Sequence, residues 1–219
     1  MFWRRIMTTE LKKVPIPPRG VDYRGKVVLA PMVRSGELPS RLVALKYGAD
    51  LVWGTLNVLK YHKCIRLLTF ILYSGPETID RAIIGTSRRY NEAARTVEWY
   101  RVQSHGQKEP PPNAKESVIY ATLPEIEAKK LIFQMGTADP DRAVEAAKVI
   151  AADVAGIDIN AGCPKPFSTH GGMGAALLRT PDKLVAILEA LVKNIVPEYN
   201  IGISVKIRIL ETAAETEAL

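Results

Sequence analysis

Short apolar runs recur along this chain, and each is followed by a stretch in which apolar residues return at helical spacing. Lys26–Ala30 is such a run, broken by Pro31, and Pro39–Tyr47 then has the helical period with Gly48 placed to close it. Asp50–Trp53 predicts a second strand and Leu131–Met135 a third, ending on Gly136. Asp139 as N-cap and Pro140 at the first helical position open a helix in which Ala143, Val144, Ala147, Ile150, Ala151 and Val154 keep near-helical spacing. Gly156–Asn160 predicts a fourth strand, Thr180-Pro181 caps a helix running to about Asn194, and Ile203–Arg208 predicts a fifth strand. Alternating strand and helix of this kind make an α/β fold with a parallel sheet.

Two segments stand outside the alternation. Thr55–Tyr73 contains the apolar stretch Ile65–Tyr73, far shorter than the roughly 20 residues that span a bilayer, so no membrane association is expected. Ser104–Ser117, with Pro110-Pro111-Pro112, is polar and extended and predicts a surface loop.

Composition changes this picture little. The 219 residues, 47% hydrophobic and 24% charged, fit one soluble globular domain or one large domain that has been cut short. The charge of +7 is uneven: Arg4, Arg5, Lys12, Lys13, Arg19, Arg24 and Lys26 face only Glu10 and Asp22, so residues 1–25 read as a basic tail ahead of a domain over 26–219. Such a tail suits an RNA phosphate backbone and suits a solvated leader equally. The two cysteines, Cys64 and Cys163, have no metal-ligand spacing, so a disulfide framework and a zinc site are not expected and a reducing, cytoplasmic compartment is. No secretory signal is readable, and the opening Met-Phe-Trp-Arg-Arg-Ile is too short and too poor in Ser for an organellar presequence.

Candidate chemistry lies where strands end, because a βα barrel assembles its site from the loops at the C-terminal ends of its strands. The third strand ends in Phe133-Gln134-Met135-Gly136, the fourth in Asp158-Ile159-Asn160-Ala161-Gly162-Cys163-Pro164, and the fifth carries Lys206 and Arg208 among apolar neighbours. A cofactor's carbonyls, ring nitrogens or phosphate would satisfy Gln134 and Lys206; pairing of Lys206 with Asp158 is the competing reading. Cys163 sits in a turn between Gly162 and Pro164 that leaves its sulfur little crowded, although lone cysteines are more often inert core residues. Gly171-Gly172-Met173-Gly174 could cradle phosphate or pack under the cysteine turn.

Together these residues resemble the signature of the tRNA dihydrouridine synthases. The stretches are Leu29-Ala30-Pro31-Met32-Val33-Arg34, Phe133-Gln134-Met135-Gly136-Thr137, Asp153 through Lys165, Ser168 through Leu178, and Ser204 through Leu210, in the family's order. The wording is closest to the eukaryotic branch acting on nucleotide 20 of the tRNA D-loop. The resemblance implies a (β/α)8 TIM barrel with FMN at its mouth, NADPH as electron donor, tRNA as partner, a monomer, and hydride delivery to C6 of a uracil. By that resemblance Cys163 protonates C5, Pro31, Met32 and Val33 line the flavin, Gln134 bonds the isoalloxazine edge, Lys206 faces N1/O2, and Asn160 orients the flavin or the uracil. The proton role makes chemical sense, since a thiol with an ordinary pKa of about 8.5 is mostly protonated at neutral pH. The uridine must leave its stack to reach a flavin, so a basic surface and base flipping are expected.

Two departures qualify these expectations. The family pattern runs Asp50–Gly54 straight into Pro76–Arg81, but here Thr55–Gly75 intervenes, which suggests a translated intron or a misplaced exon junction; transcript reads joining Gly54 to Pro76 support that origin and reads containing the segment oppose it. Only about five of roughly eight strands fall within the chain, so the expectation is an incomplete barrel lacking the phosphate-binding loops and a C-terminal helical tRNA-binding domain. The alternative is a catalytically inactive fragment with weak or no RNA binding. An FMN barrel acting on a free pyrimidine such as dihydroorotate is disfavoured by the wording of Asn160–Lys165.

Overall fold

The structure, a computed structural model, describes residues 20–32, 36–54, 78–102 and 114–219. Val33, Cys64, the segment 55–75, residues 104–113 and the tail up to residue 19 lie outside them. In chain order the elements are β1 (Val28–Leu29), α1 (Leu38–Lys46), β2 (Leu51–Gly54), β3 (Thr78–Ile79), α2 (Asp80–Ile83), β4 (Ser87–Asn91), β5 (Thr96–Val102), β6 (Glu116–Thr122), α3 (Pro124–Glu127), β7 (Leu131–Gly136), α4 (Pro140–Ile150), β8 (Gly156–Ala161), α5 (Pro166–His170), α6 (Pro181–Asn194), α7 (Val196–Tyr199), β9 (Gly202–Ile207) and α8 (Ala213–Ala218).

The five strands expected from the apolar runs are β1, β2, β7, β8 and β9, and they pair in that order, every neighbour parallel. This is an α/β fold with the strand set of an incomplete (β/α)8 barrel. The first strand is shorter than the predicted Lys26–Ala30, since the Val27 N–H is taken by the Asp50 carboxylate at 2.8 Å rather than by a neighbouring strand.

Alternation along each strand divides the sheet into two faces. Val52, Phe133, Met135, Ile157 and Ile159 enter one buried cluster with Ala143, Ala147 and Ile150 of α4 and Leu184, Ile187 and Leu191 of α6. The opposite face carries Leu51, Trp53 and Ile132, then the polar residues Gln134, Asp158, Asn160, Ser204 and Lys206. The chain ahead of β1 covers the start of this second face: Tyr23 packs on Trp53 with ring centroids 5.7 Å apart, and a Cβ on Gly20 would stand 2.6 Å from the Gly202 Cα. Helix α4 starts as its sequence dictates, Asp139 accepting the Arg142 N–H at 2.9 Å. Thr180 does not cap α6 through its side chain, contrary to expectation; its hydroxyl instead donates back to the Ala176 carbonyl.

A second sheet, β4-β5-β6, is antiparallel and was absent from the sequence-based expectation. Its strands hide their period: β4 is exposed along nearly its whole length, and β5 shifts register between Trp99 and Tyr100. Val97, Trp99 and Tyr120 nevertheless enter the same core, with the Trp99 indole donating to the Val149 carbonyl of α4 at 3.2 Å. The predicted loop over 104–117 is correspondingly shorter at its end, because Glu116 and Ser117 already pair with Val102 and Arg101. No helix among the described residues is long and apolar enough to cross a membrane.

Candidate active site

The register of the parallel strands sets Gln134 beside Asp158, Asp158 beside Ser204, and Asn160 beside Lys206. Because alternate residues share a face, these side chains meet on the side away from the helices. Gln134 Nε2 donates to Asp158 Oδ2 at 2.7 Å, and Ser204 Oγ donates to Asp158 Oδ1 at 2.8 Å. Asn160 Nδ2 donates to Gln134 Oε1 at 3.4 Å. Burial pushes the Asp158 carboxyl above the ordinary carboxylate range, and the hydrogen bonds from Gln134 and Ser204 oppose that rise.

Asn160 also builds the turn after β8. Its Oδ1 accepts the N–H groups of Gly162 at 2.9 Å and of Cys163 at 3.0 Å, a side-chain bond to the backbone that replaces the sheet ladder where the strand ends. Arg208 Nε donates to the Gly162 carbonyl at 2.7 Å, tying the turn to the end of β9. Cys163 is a free thiol, 8% exposed. The glycine-rich loop packs beneath it: Ala175 N–H donates to the Cys163 carbonyl at 2.8 Å, and a Cβ on Gly174 would stand 2.5 Å from that oxygen and 3.1 Å from the Cys163 Cβ. Gly174 also has φ +59°, so a side chain there is excluded twice. Of the two readings of Gly171–Gly174, this geometry is the packing one.

A cavity of about 290 Å³ opens beside this network, walled by Tyr23, Ala30, Pro31 and Trp53, with Asp158 and Lys206 among its polar neighbours. Lys206 forms no ion pair with Asp158; it acts on that carboxylate only as a distant charge. Lys206 thus lines the cavity as an exposed residue, without the ion pair to Asp158 that the competing reading gave it. Trp53 Nε1 is buried in the same region; its indole N–H lies near enough to Asp158 to favour the carboxylate but outside the geometry of a formed hydrogen bond.

The predicted residues therefore fall into two groups that share Asp158. Cys163, Asn160 and Gln134 form one hydrogen-bonded path, while Pro31 and Lys206 line the cavity. Met32 is half-exposed beyond Pro31, and Val33 lies outside the described residues. Sequence reasoning treated Asp158 only as a counter-ion and missed its place under Gln134. The signal was there in strand spacing, since Asp158 and Asn160 are two residues apart and must share a face. No group of three or more His, Cys, Asp or Glu side chains able to hold a metal ion occurs among the described residues.

Residues 76–219 match the dihydrouridine synthase (Dus) family. The chain is 49% identical over 196 residues to a Saccharomyces cerevisiae protein named as a tRNA-dihydrouridine(20) synthase using NAD(P)+, covering 90% of this chain and 44% of that protein. It is 47% identical over 199 residues to the Schizosaccharomyces pombe protein of the same name, covering 90% of this chain and 35% of the relative. A tRNA-dihydrouridine(16/17) synthase of Schizosaccharomyces pombe is 26% identical over 193 residues. The chain thus spans less than half the length of these curated relatives. A family match across most of the chain, joined to a parallel barrel sheet whose strand ends bring Gln134, Asn160 and Cys163 together, establishes that this chain belongs to the dihydrouridine synthase family.

Proposed function

We propose that this chain carries the flavin-side and proton-donor residues of an FMN-dependent, NADPH-driven enzyme that reduces a uridine of the tRNA D-loop to dihydrouridine. The observation that supports it most is the unbroken path from Gln134 through Asn160 to the backbone of Cys163 at the ends of β7 and β8.

The residues suit a flavin. An isoalloxazine has apolar faces and a polar edge, and the cavity offers apolar walls at Ala30, Pro31, Tyr23 and Trp53, with Lys206 among its lining residues. Lys206 would balance negative charge on the N1/O2 side, and Pro31, Met32 and Val33 would line the ring. Gln134 has one Nε2 hydrogen committed to Asp158, which leaves a second for an acceptor on the ring edge. When bound, FMN would supply the hydride for C6 of the uracil and draw its electrons from NADPH.

Cys163 then gives its proton to C5, on a turn that Asn160, Arg208 and Ala175 grip from three sides. A target uridine must be unstacked to reach it, and the exposed Lys165 and Arg208 flank the turn with positive charge for the displaced phosphates. The test is Cys163→Ala in the flavin-loaded protein. Flavin reduction by NADPH is retained and dihydrouridine formation in tRNA is lost; unchanged dihydrouridine formation overturns the assignment. Bound flavin is checked first, by visible absorption of the purified chain and by titration with FMN.

A further inference from the structure

Asp158 is 3% exposed in the middle of β8, and a buried carboxylate in a parallel strand is costly unless its acceptors are used. Both oxygens are used, by Gln134 Nε2 and Ser204 Oγ, and neither by Lys206. We propose that Asp158 is a positioning residue: it sets the amide orientation of Gln134 and, through Asn160, the turn that presents Cys163. The catalytic meaning of that turn rests on the function proposed above, whereas the linkage itself is a property of the chain.

Donors and acceptors alternate along the path from Asp158 to Cys163. Asp158 Oδ2 accepts, so Gln134 must turn its NH2 toward Asp158 and its Oε1 toward Asn160, both on β8. Gln134 Oε1 accepts from Asn160 Nδ2, so the Asn160 amide in turn presents Oδ1 to the N–H groups of Gly162 and Cys163. Each orientation fixes the next, as in any chain of amides anchored at one end by an acceptor. The link from Asn160 to Gln134, at 3.4 Å, is the longest, so the grip of Asp158 is firmest on Gln134 and weaker at Cys163.

This role needs an acceptor at position 158 and not a charge. An asparagine there keeps an oxygen for Gln134 Nε2 and turns its NH2 to the Ser204 hydroxyl, which is able to accept. Alanine keeps neither. If Asp158 served instead as a remote counter-ion to Lys206, asparagine and alanine would fail alike.

The experiment measures how fast iodoacetamide alkylates Cys163 in the whole chain, in a Cys64→Ser background that leaves one thiol, with the adduct followed by mass spectrometry. Loss of one hydrogen bond changes a local opening equilibrium by about fivefold, so Asp158→Ala is expected to raise the rate by about that factor and Asn160→Ala by more. Asp158→Asn is expected to restore a rate within about twofold of the parent. Leu191→Ala, a core truncation in α6 on the helix-covered face of the sheet, reports simple destabilisation. Three results overturn the proposal: an unchanged rate in Asp158→Ala when Asn160→Ala is fast, an Asp158→Asn rate equal to that of Asp158→Ala, or an equal rise in Leu191→Ala. If Asp158→Ala does not fold, Gln134→Met cuts the same path with little change in volume; the same rise supports the linkage and an unchanged rate refutes it. None of these outcomes depends on turnover, so failure of the functional reading shows separately, in Cys163→Ala.

Discussion

A Cβ on Gly54 would stand 1.9 Å from the Tyr120 hydroxyl oxygen, so the last residue of β2 is a glycine because a tyrosine from the second sheet fills the space. That hydroxyl is buried and has no hydrogen-bond partner, while its ring meets Phe133 edge-on with centroids 5.2 Å apart. Burial pushes the phenol well above its ordinary pKa, so it stays neutral. Overpacking of this kind costs about 1–3 kcal/mol, and Gly54→Ala is expected to fall in that range by urea unfolding. Tyr120→Phe removes an unsatisfied buried oxygen and is expected to be neutral or stabilising by about 1 kcal/mol. In the double variant the alanine costs less, although the ring carbon at 3.0 Å still has to yield. Equal costs in both backgrounds would show that the hydroxyl is not the obstacle.

The Arg41–Glu127 pair ties α1 to α3. Both side chains are 1% exposed; Nε and Nη2 of Arg41 reach the two Glu127 oxygens at 2.6 and 3.1 Å, and the guanidinium also donates to the carbonyls of Gly36 and Ala121. Removing one partner strands a buried charge, so Arg41→Met is expected to lose about 3–5 kcal/mol. Arg41→Met combined with Glu127→Leu should lose less than Arg41→Met alone, because the groups then left unpaired are the carbonyls of Gly36 and Ala121 and the Leu123 N–H that Glu127 accepts at 2.9 Å, none of them a charge. Chemical denaturation of the three variants decides it; a double variant worse than the single rules out charge burial as the main cost.

The parallel sheet was legible because its strands are buried and its helices amphipathic, so a run such as Leu131–Gly136 announces itself. The second sheet was not. Beyond its backbone ladder with β5, Ser87-Arg88-Arg89-Tyr90 is held by ion pairs, Arg88 to Asp153 and Arg89 to Glu116, and such partners are invisible to periodicity. In the site, strand-end position and family resemblance singled out Gln134, Asn160 and Cys163, but not the direction of their hydrogen bonds. That Asn160 grips the cysteine turn depends on a backbone conformation three residues long, and that Asp158 takes its hydrogen bonds from Gln134 and Ser204 rather than from Lys206 depends on cross-strand register.

The raised pKa of Asp158 makes a pH prediction. The folded chain holds this proton more tightly than the unfolded chain, whose value is about 3.8. Stability from the group is therefore fully present below that value and is lost as pH rises through the higher folded value. Asp158→Asn cannot ionise and keeps the acceptor for Gln134. Its stability relative to the parent is expected to be level at acid pH and to improve as pH rises toward neutrality, measured as the difference in urea midpoint. Other carboxylates cancel in that difference, so a constant offset across the range would mean that the Asp158 carboxyl is not strained by burial.

The strands before and after the intervening segment pair with one neighbour. Gly54 pairs with Phe133 and Thr78 with Met135, so β2 and β3 lie along the same edge of β7 only two positions apart, about 7 Å at ordinary strand rise. Joining Gly54 directly to Pro76 leaves Pro76 and Glu77 to cross that gap, one residue more than a regular strand needs, which a bulge accommodates. The family match begins at residue 76, where the shortened chain would resume. Replacing a long connection by two residues also removes loop-closure entropy of order 1–2 kcal/mol. The variant lacking residues 55–75 is therefore expected to keep the far-UV circular dichroism of the parallel sheet and to unfold at equal or higher urea concentration. A shortened chain that loses the sheet, or unfolds earlier, would mean that β2 and β3 need the longer connection to reach their places on β7.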